Sequence, residues 1–560
     1  MPTSEKRNVQ YLVQLFKQHH IRHLVFSPGS RNAPLVLGFA NDPFFETTVI
    51  HDERSAAFYA LGVYQSTQRP VAVCCTSGSA AANYYPAVTE AFYQRIPLIL
   101  LTADRPHEWI DQSDGQTIRQ QGLFSNHINY QCSLIRESEN EDSNWYNVRV
   151  INEALNKASS WNPGPVHINI PFDEPLYGLE EELPKVRSIT PIKGRAQLDH
   201  EQEEMLLEKV ANARKPLIMI GQGNPPAELE GILSNWIDRG AVVLTESTSN
   251  VQPERSIGCI DRLFIGLPKA RSRGYAPDLL ITFGGAIVSK KIKALLREWP
   301  IKEHFHISRE GDFPDTYRHL TSAIQSNPID VLRTILPDTA EFDRKWFQHW
   351  MHLVEMAHER HHSFVDQIPF SDFKIFAHLL EQLPAEFRLQ LGNSTVVRYA
   401  QLFEEGRESI HFCNRGTSGI DGSMSTAVGY AVSSGKPTLH VTGDISFFYD
   451  SNALAIPSIP EGFKVLLINN EGGGIFRYIP GPSQTPQLEE YFEARHQHQA
   501  EGLARTYGFQ YRLVETESEF LHSLPQLFDP NRGPLILEVK TPREENDKIL
   551  REYFKYIHHG

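Results

Sequence analysis

Cysteine is scarce in this chain of 560 residues, and its placement excludes the usual cysteine-built sites. The sequence holds five cysteines, an odd number that includes no CxxC pair. Structural zinc modules and redox dithiols depend on such closely spaced pairs, so both classes are set aside. We interpret the five thiols as reduced and mostly buried.

Long apolar runs and an excess of basic charge are also missing. No stretch of about 18 uncharged apolar residues occurs, so we expect no insertion into a membrane. The first ten residues, MPTSEKRNVQ, lack the basic and then apolar pattern of a signal peptide, which predicts a cytoplasmic protein. The net charge of −14 argues against nucleic acid as a partner, because nucleic-acid binding requires a basic surface.

The composition that remains is that of an ordinary globular protein, with 40% hydrophobic and 22% charged residues. A chain of this length is too long for a single core, so several domains are expected. Short runs rich in β-branched residues alternate with helix-like segments in three separate sets. Strands that are apolar on both faces predict parallel sheets covered by helices.

Two stretches without a strand pattern separate the three sets. Residues 178 to 200 are rich in charge and proline, and residues 335 to 372 are dominated by one polar helix. The sequence therefore predicts an α/β fold of three consecutive doubly wound parallel-sheet domains, at 1–180, 200–335 and 370–560. Such sheets bind ligands at the carboxyl ends of their strands, which makes polar residues there the candidates for a site.

The third set of strands has two polar strand ends. One strand ends in Gly443-Asp444, and 26 residues after Asp444 the next ends in Asn470, which is followed by Glu471 and three glycines. The Asp444 carboxylate, the Asn470 amide oxygen and the Gly472 carbonyl are oxygen ligands of the kind that Mg²⁺ prefers. Each feature alone is typical of a turn. Together they predict a site for Mg²⁺, or for Mn²⁺ in its place, completed by phosphate oxygens.

This spacing of Gly-Asp and Asn-Asn resembles the signature of the thiamine-diphosphate-dependent enzymes. The residue after Gly-Asp is usually glycine in that family and is Ile445 here, a departure from the pattern. The resemblance implies thiamine diphosphate as the cofactor and one carboxylic acid that activates it. Glu53, which follows a strand and opens a helix, is expected to be that catalytic acid. A glutamate in the first turn of a helix is also commonly there for the helix dipole alone.

The resemblance assigns further residues to the cofactor. The strand-to-helix turn at 416–422 would present backbone N–H groups to phosphate oxygens. Within it, Ile420 would hold the cofactor in its bent shape. The turn at 76–79 resembles the loop that approaches the aminopyrimidine ring from a neighbouring subunit. The expected cofactor contacts are Ser77, Gly78, Ser394, Gly419, Ile420, Gly443, Asp444, Ile445, Ser446, Asn470, Gly472, Gly473, Gly474, Ile475 and Phe476.

Six segments narrow the resemblance to one branch of the family. They are FSPGSRNAPL (26–35), TADRP (102–106), GQTIRQ (115–120), GNSTVVR (392–398), NRGTSGIDG (414–422) and GGGIF (472–476). Together they resemble the 2-succinyl-5-enolpyruvyl-6-hydroxy-3-cyclohexene-1-carboxylate synthases of menaquinone biosynthesis. The resemblance implies a transferase that decarboxylates 2-oxoglutarate and adds the succinyl-semialdehyde carbanion to isochorismate.

Several arginines and lysines lie at predicted strand ends of this acidic protein, which agrees with two multiply anionic substrates. Arginine suits such substrates because its guanidinium forms two parallel hydrogen bonds with a carboxylate. By resemblance, isochorismate would contact Ser30, Arg31, Arg105, Gln116, Lys290 and Lys291, and the succinyl carboxylate would contact Ser394, Arg398 and Arg415. The resemblance also implies a homodimer or homotetramer with sites shared between subunits. An acetolactate-synthase-like enzyme, another 2-oxoacid decarboxylase and a non-catalytic homologue stay open as alternatives.

Two other motifs give competing interpretations. The segment 358 to 362 matches the HExxH pattern of zinc proteases, but Arg360 would place a cation beside the metal, and the surroundings are typical of an exposed linker helix. The tripeptide at 221 to 223 follows a strand as a dinucleotide-binding turn would, but Pro225 and Pro226 replace the third glycine and the helix start. We interpret the middle domain as a weakened nucleotide fold with a structural or regulatory role.

Overall fold

The computed structural model describes residues 2–194, 196–479 and 481–559, and within them three parallel sheets follow one another along the chain. Helices cover the faces of each sheet, so the predicted α/β class is confirmed. No helix in these ranges combines the length and apolarity needed to cross a membrane.

The first sheet and its helices form the N-terminal region. Its strands are β1 (Thr3–Ser4), β2 (His23–Phe26), β3 (Glu46–Val49), β4 (Val71–Cys75), β5 (Leu98–Asp104), β6 (Tyr130–Ser133), β7 (Val166–Pro171) and β8 (Leu179–Glu180). Its helices are α1 (Arg7–Gln18), α2 (Ala33–Phe39), α3 (Glu53–Thr67), α4 (Ser79–Asn83), α5 (Tyr85–Gln94) and α6 (Glu141–Ala158). Six strands pair in the order β3-β2-β4-β5-β7-β6, and β1 and β8 form a separate antiparallel pair that the sequence pattern did not predict.

The middle region is built on a five-stranded sheet. Its strands are β9 (Pro216–Ile220), β10 (Val242–Leu244), β11 (Leu279–Phe283), β12 (Glu303–Ile307) and β13 (Ser322–Ile324). Its helices are α7 (His200–Asn212), α8 (Glu228–Asp238), α9 (Ile260–Phe264), α10 (Lys269–Ser272), α11 (Lys290–Glu298) and α12 (Pro328–Thr334). The strand order is β10-β9-β11-β12-β13, and a cavity of about 860 Å³ at the carboxyl ends of β9 and β11 is lined by Gln222, Lys293 and Arg415 among others.

The helix α13 (Arg344–Gln367) connects the middle region to the last one. It is not the exposed linker helix that the sequence suggested, because Trp346, Trp350 and Phe364 are buried on one of its faces. The two histidines of the HExxH pattern lie half-exposed on the other face. The His358 Nδ1 atom is 3.0 Å from a carboxylate oxygen of Glu404, and the His362 ring is paired with the neighbouring Glu405.

The last region repeats the strand order of the first. Its strands are β14 (Arg388–Leu391), β15 (Ile410–Cys413), β16 (Thr438–Gly443), β17 (Phe463–Asn469), β18 (Gln510–Val514) and β19 (Leu535–Lys540). Its helices are α14 (Asp372–Glu381), α15 (Thr395–Ala400), α16 (Ser423–Ser434), α17 (Asp444–Tyr449), α18 (Ile475–Tyr478), α19 (Glu501–Tyr507), α20 (Glu517–Leu527) and α21 (Arg543–His559). The order β15-β14-β16-β17-β19-β18 reverses direction between β14 and β16, as the first sheet does between β2 and β4.

The first and last regions share one hydrophobic core through α3 and α16. Alanines and valines of both helices and two aromatic residues of α3 belong to a single cluster of buried side chains. The two helices are in backbone contact, because a Cβ atom on Gly62 would lie 1.9 Å from the Thr426 carbonyl oxygen, and one on Gly429 would lie 2.1 Å from that of Tyr59. The residue that opens α3 and the turn that precedes α16 are therefore held in a fixed relation.

Candidate active site

The paired strands β16 and β17 bring Asp444 and Asn470 to the same rim of the last sheet. Asp444 is the first residue of α17, and its side chain is buried. One carboxylate oxygen of Asp444 accepts the Gly472 N–H at 2.9 Å, and the other accepts the Ile445 N–H at 2.6 Å. The three predicted metal ligands, Asp444, Asn470 and Gly472, thus lie together at the ends of adjacent strands.

A neighbouring carboxylate orients the Asn470 side chain. The Asn470 amide nitrogen donates to Asp372 Oδ2 at 3.0 Å, which turns its amide oxygen away from Asp372. Asp372 is itself almost fully buried. Burial raises the pKa of the Asp372 carboxyl to about 6, against hydrogen bonds from Thr541 and Asn470 that lower this pKa.

The backbone around the predicted metal ligands leaves room for a ligand. Gly472 has a φ of +152°, and a Cβ atom there would lie 2.8 Å from the Glu493 carbonyl oxygen, so the position requires glycine. A Cβ atom on Gly443 would meet nothing within 4 Å, which places open space beside Asp444.

The donor set of this rim suits a hard cation that arrives with phosphate. In the described part of the chain, no group of three or more His, Cys, Asp or Glu side chains could hold a metal ion. The rim instead offers one carboxylate, one amide oxygen and one carbonyl oxygen, which leaves positions for phosphate oxygens and water. This is the usual arrangement for protein-bound Mg²⁺, so the residues fit magnesium held together with a diphosphate.

The glycine-rich turn at 416–422 is shaped from the first region. The Glu90 carboxylate accepts the Gly416 N–H at 2.8 Å and the Thr417 N–H at 2.7 Å. At the other end of the turn, Gly422 has a φ of +69° and packs so closely on the Phe58 ring that a Cβ atom would lie 2.0 Å from it. The turn is thus fixed at both ends by buried residues of α5 and α3.

The same turn contacts residues at the rim of the last sheet, near Asp444. The Ser446 hydroxyl in α17 donates to the Ile420 carbonyl at 2.6 Å, and the Asn393 amide donates to the Gly419 carbonyl at 2.7 Å. The Ile420 side chain is 37% exposed, an unusual position for a large apolar group in a turn held this firmly.

Glu53 is placed by a helix cap. Asp52 caps α3 by accepting the Ser55 N–H at 3.2 Å, so Glu53 is the first residue of the helix. The Asn83 amide donates to one Glu53 carboxylate oxygen at 3.0 Å. Among the described residues, no hydrogen bond or ion pair joins Glu53 to Asp444 or Asn470.

The carboxyl ends of β2, β4 and β5 gather the polar residues predicted in the first region. The Arg31 N–H donates to Thr76 Oγ1 at 3.2 Å, and its guanidinium contacts the Phe172 carbonyl. Burial lowers the pKa of Arg31, and the positive charge of Arg105 lowers it further. The backbone of Gln116 lies against Gly78, next to the buried Ser77, while Ser30 is exposed at the same rim.

The two predicted arginines of the last region lie beside the glycine-rich turn at 416–422. Arg398 donates to the Ser394 carbonyl, and Ser394 has a φ of +70°, a left-handed conformation rarely adopted by serine. The Arg415 guanidinium donates to Asn393 Oδ1 at 2.8 Å, and its buried Nε atom has no hydrogen-bond partner among the residues that the structure describes. Burial lowers the pKa of Arg398, and the adjacent Arg415 lowers it further.

The two predicted lysines open α11 in the middle region. The backbone just before them is held by Glu246, whose carboxylate accepts the Val288 N–H at 2.6 Å and the Ser289 N–H at 2.8 Å. Burial raises the pKa of the Asp261 carboxyl, and the positive charges of Arg398 and Lys291 oppose this rise.

Comparison with known proteins identifies the family. Residues 7–129 match the family described as thiamine pyrophosphate enzyme, N-terminal TPP binding domain, and residues 193–391 match the middle domain of thiamine pyrophosphate enzymes. The 2-succinyl-5-enolpyruvyl-6-hydroxy-3-cyclohexene-1-carboxylate synthase of Flavobacterium johnsoniae is 44% identical over 553 residues, or 98% of each chain. The proteins of the same name from Flavobacterium psychrophilum and Porphyromonas gingivalis are 42% and 40% identical, covering 98% and 99% of this chain and 98% of each relative.

The chain belongs to this synthase family. Like other members, it is a thiamine-diphosphate-dependent enzyme, so the predicted family and the predicted cofactor are both confirmed. The resemblance drawn from the six sequence segments therefore extends over nearly the whole chain.

The sequence did not predict the roles of three buried carboxylates, which are Glu90, Glu246 and Asp372. Each holds a predicted site element, but each lies far from it in the chain. Glu90 is 326 residues from Gly416, and Asp372 is 98 residues from Asn470. Locally they look like helix or loop acids, so a single sequence carries no signal for these roles.

Glu246 gives the first stability prediction. Burial raises the pKa of its carboxyl from 4.5 to about 7, whereas the unfolded chain keeps the ordinary value. The proton is therefore bound only in the folded state between these values, so wild-type stability falls as the pH rises from about 4.5 to about 7. Glu246→Gln has no carboxyl to titrate at this position. We therefore expect the free energy of unfolding of the variant, minus that of the wild type, to be larger at pH 8 than at pH 5 by up to about 3 kcal/mol.

Thermal or urea unfolding of both proteins at the two pH values measures this difference. Glu254→Gln, which removes an exposed carboxylate from the same region, is the matched control. An equal difference between Glu246→Gln and wild type at both pH values would contradict the prediction.

Proposed function

We propose that this enzyme decarboxylates 2-oxoglutarate and joins the remaining four-carbon succinyl-semialdehyde unit to isochorismate, giving 2-succinyl-5-enolpyruvyl-6-hydroxy-3-cyclohexene-1-carboxylate and CO2 for menaquinone biosynthesis. The observation that carries the proposal is the placement of buried or half-buried arginines. Arg398 and Arg415 lie beside the glycine-rich turn at 416–422, and Arg31 and Arg105 lie at the rim of the first sheet. Both substrates carry several carboxylates, which such cations recognise.

Magnesium and the diphosphate would be held at the rim of the last sheet. We assign the metal to Asp444, Asn470 and the Gly472 carbonyl, with Mn²⁺ able to replace Mg²⁺. The flanking residues that would surround the cofactor are Ser77, Gly78, Ser394, Gly419, Ile420, Gly443, Ile445, Ser446, Gly473, Gly474, Ile475 and Phe476. The glycines at 472 to 474 would let the backbone approach the cofactor closely. The Phe476 ring, just after these glycines, packs against the Phe492 ring.

Thiamine diphosphate, when bound, supplies the electron sink that makes decarboxylation of a 2-oxoacid feasible. The contribution of the chain is a proton held at a fixed place. Asn83 fixes one oxygen of the Glu53 carboxylate, so the other oxygen can hold a proton against the aminopyrimidine ring. Glu53 is accordingly proposed as the catalytic acid.

The substrate carboxylates would divide between the two groups of cations. The carboxylate of the succinyl unit would be held by Ser394, Arg398 and Arg415. Among the described residues, the buried Arg415 Nε atom has no hydrogen-bond partner, so it can donate to an anion. Ser30, Arg31, Arg105, Gln116, Lys290 and Lys291 would hold isochorismate. A bound substrate carboxylate would offset the repulsion between the positive charges within each of these two groups.

The site would be completed by a second copy of the chain. We propose a homodimer or homotetramer in which Glu53 of one subunit serves the metal rim of another. Ile420 and Tyr449, which are 37% and 52% exposed in a single chain, offer apolar surface near that rim for a neighbour to cover. We also propose a cytoplasmic location, which agrees with the absence of disulfides among five free cysteines.

A single assay tests the reaction. With thiamine diphosphate, Mg²⁺, 2-oxoglutarate and isochorismate, the enzyme should release one CO2 for each adduct formed. Mass spectrometry of the product and trapped CO2 provide the two measurements. Failure to release CO2 from 2-oxoglutarate, or efficient turnover of pyruvate alone, would contradict the proposal.

A further inference from the structure

We infer that Asp372 is a positioning residue that selects which atom of Asn470 faces the metal. The inference rests on the proposed function, because it concerns the ligand that Asn470 would supply. It comes from a hydrogen-bond network in which every donor direction can be assigned.

The Asp372 carboxylate receives three side-chain donors. Its Oδ1 atom accepts the Thr541 hydroxyl at 2.6 Å and the Asn546 amide nitrogen at 3.0 Å. Its Oδ2 atom accepts the Asn470 amide nitrogen at 3.0 Å. The backbone N–H of Asp372 donates back to Asn546 Oδ1 at 2.9 Å, which closes a second link to the same residue.

These contacts anchor Asp372 to segments distant in the chain from Asn470, although Thr541 itself lies beside the rim, where its backbone N–H donates to the Asn469 carbonyl at 3.3 Å. Thr541 directly follows β19, and Asn546 lies in the first turns of α21. Ser371 caps α14 and so places Asp372 at the start of that helix. All of these residues are buried or nearly so, which fixes the carboxylate in position.

The consequence for Asn470 follows from the two ends of its amide. A carboxylate accepts but does not donate, so it requires the nitrogen end of the amide. With that end committed to Asp372, the oxygen end must face the other way, toward the position of the cation. A cation next to the nitrogen end would instead meet two N–H groups, which would repel it.

Asp372→Asn reverses this choice without changing the shape of the residue. The new amide oxygen stays with Thr541 and Asn546, because both donate to it. The new amide nitrogen then faces Asn470 and requires its oxygen, so the Asn470 amide turns over. The groups that contact residue 372 each keep a hydrogen-bond partner there, so the variant retains the means to fold.

A double substitution restores the metal ligand. In Asp372→Asn with Asn470→Asp, the amide nitrogen at 372 donates to one carboxylate oxygen at 470, and the other oxygen faces the cation. The net charge of the pair is the same as in the wild type. Thr541→Val is the matched control, because it removes one hydrogen bond from the Asp372 carboxylate but leaves its contact with Asn470.

The test is titration of the full-length protein with Mn²⁺ in the presence of thiamine diphosphate, read by electron paramagnetic resonance. We expect Asp372→Asn to weaken Mn²⁺ binding by about 10–100-fold, the range typical of residues that orient metal ligands. The double variant should recover most of that loss, and Thr541→Val should bind Mn²⁺ nearly as the wild type does. Thermal unfolding of each protein without metal separates a loss of stability from a loss of affinity.

Three results would overturn the inference. Unchanged Mn²⁺ affinity in Asp372→Asn would show that Asn470 does not depend on Asp372, and equal weakening in Thr541→Val or no recovery in the double variant would indicate a merely structural effect. A wild-type protein that binds no Mn²⁺ with thiamine diphosphate would be a different failure. It would overturn the proposed metal site itself and the orienting role with it.

Discussion

Glu53→Gln will slow carbon–carbon bond formation by about 10²–10⁴-fold, the usual contribution of a general acid or base, while cofactor binding is retained. The glutamine keeps an oxygen that can accept from Asn83, so the start of α3 should not change. It cannot exchange a proton at that place, which is the function proposed for Glu53. Loss of rate without loss of cofactor affinity is the expected combination.

Hydrogen–deuterium exchange at C2 of bound thiamine diphosphate measures this role directly. The exchange should slow together with CO2 release in Glu53→Gln. Asp52→Asn is the control, because it alters the adjacent carboxylate, which caps α3 and accepts from Asn452, without touching the proposed acid. Normal turnover in Glu53→Gln would remove Glu53 from catalysis.

Asp444→Asn will weaken Mg²⁺-dependent binding of thiamine diphosphate by more than about 100-fold, because loss of a direct charged ligand exceeds the effect of altering a residue that only orients one. The variant keeps a side-chain oxygen for the Gly472 N–H, so the turn at the end of β17 should persist. What it lacks is the negative charge at the cation and the second oxygen, which accepts the Ile445 N–H in the wild type. Calorimetric titration with cofactor at several Mg²⁺ concentrations gives the affinity.

Asp450→Asn is the matched control for this variant. Asp450 follows the same helix, α17, and its carboxylate accepts the Ser425 N–H and hydroxyl at 2.8 and 2.9 Å. Its substitution should lower thermal stability but leave the Mg²⁺ dependence of cofactor binding intact. If the two variants have the same Mg²⁺ dependence as the wild type, Asp444 is not a metal ligand.

Strands with a continuous apolar run were predictable from sequence, even at a sheet edge such as β10 or β15, and several half-exposed or polar strands were not. The apolar run LILLTAD at 98 to 104 forms β5, which is buried along its whole length. By contrast, β6 and β18 lie at sheet edges and are half-exposed, so they lack a continuous apolar pattern. β7 is buried but carries His167 and Asn169, whose side chains bond to Thr102, and this internal polar network conceals the strand.

The candidate site divides in the same way. Residues at strand ends, such as Asp444, Asn470 and Arg31, could be predicted because the parallel fold itself brings strand ends to a common rim. The carboxylates that hold site elements, such as Asp372 at Asn470 and Glu90 at the turn 416–422, could not be predicted, because their contacts join residues far apart in the chain. Local sequence determines where a ligand-binding residue emerges, and long-range packing determines which way its atoms point.

The backbone contact between α3 and α16 also has a consequence for synthesis of the chain. The Thr426 hydroxyl donates to the Phe58 carbonyl across 368 residues, so the inner face of α3 has no partner when it leaves the ribosome. At about 5–20 residues per second, translation needs roughly 20–70 s to supply α16. Throughout that interval the small, closely packing surface around Gly62 stays open to water and to other nascent chains. The contact that makes the finished enzyme rigid is therefore the one that makes its assembly slow and exposes it to misassociation.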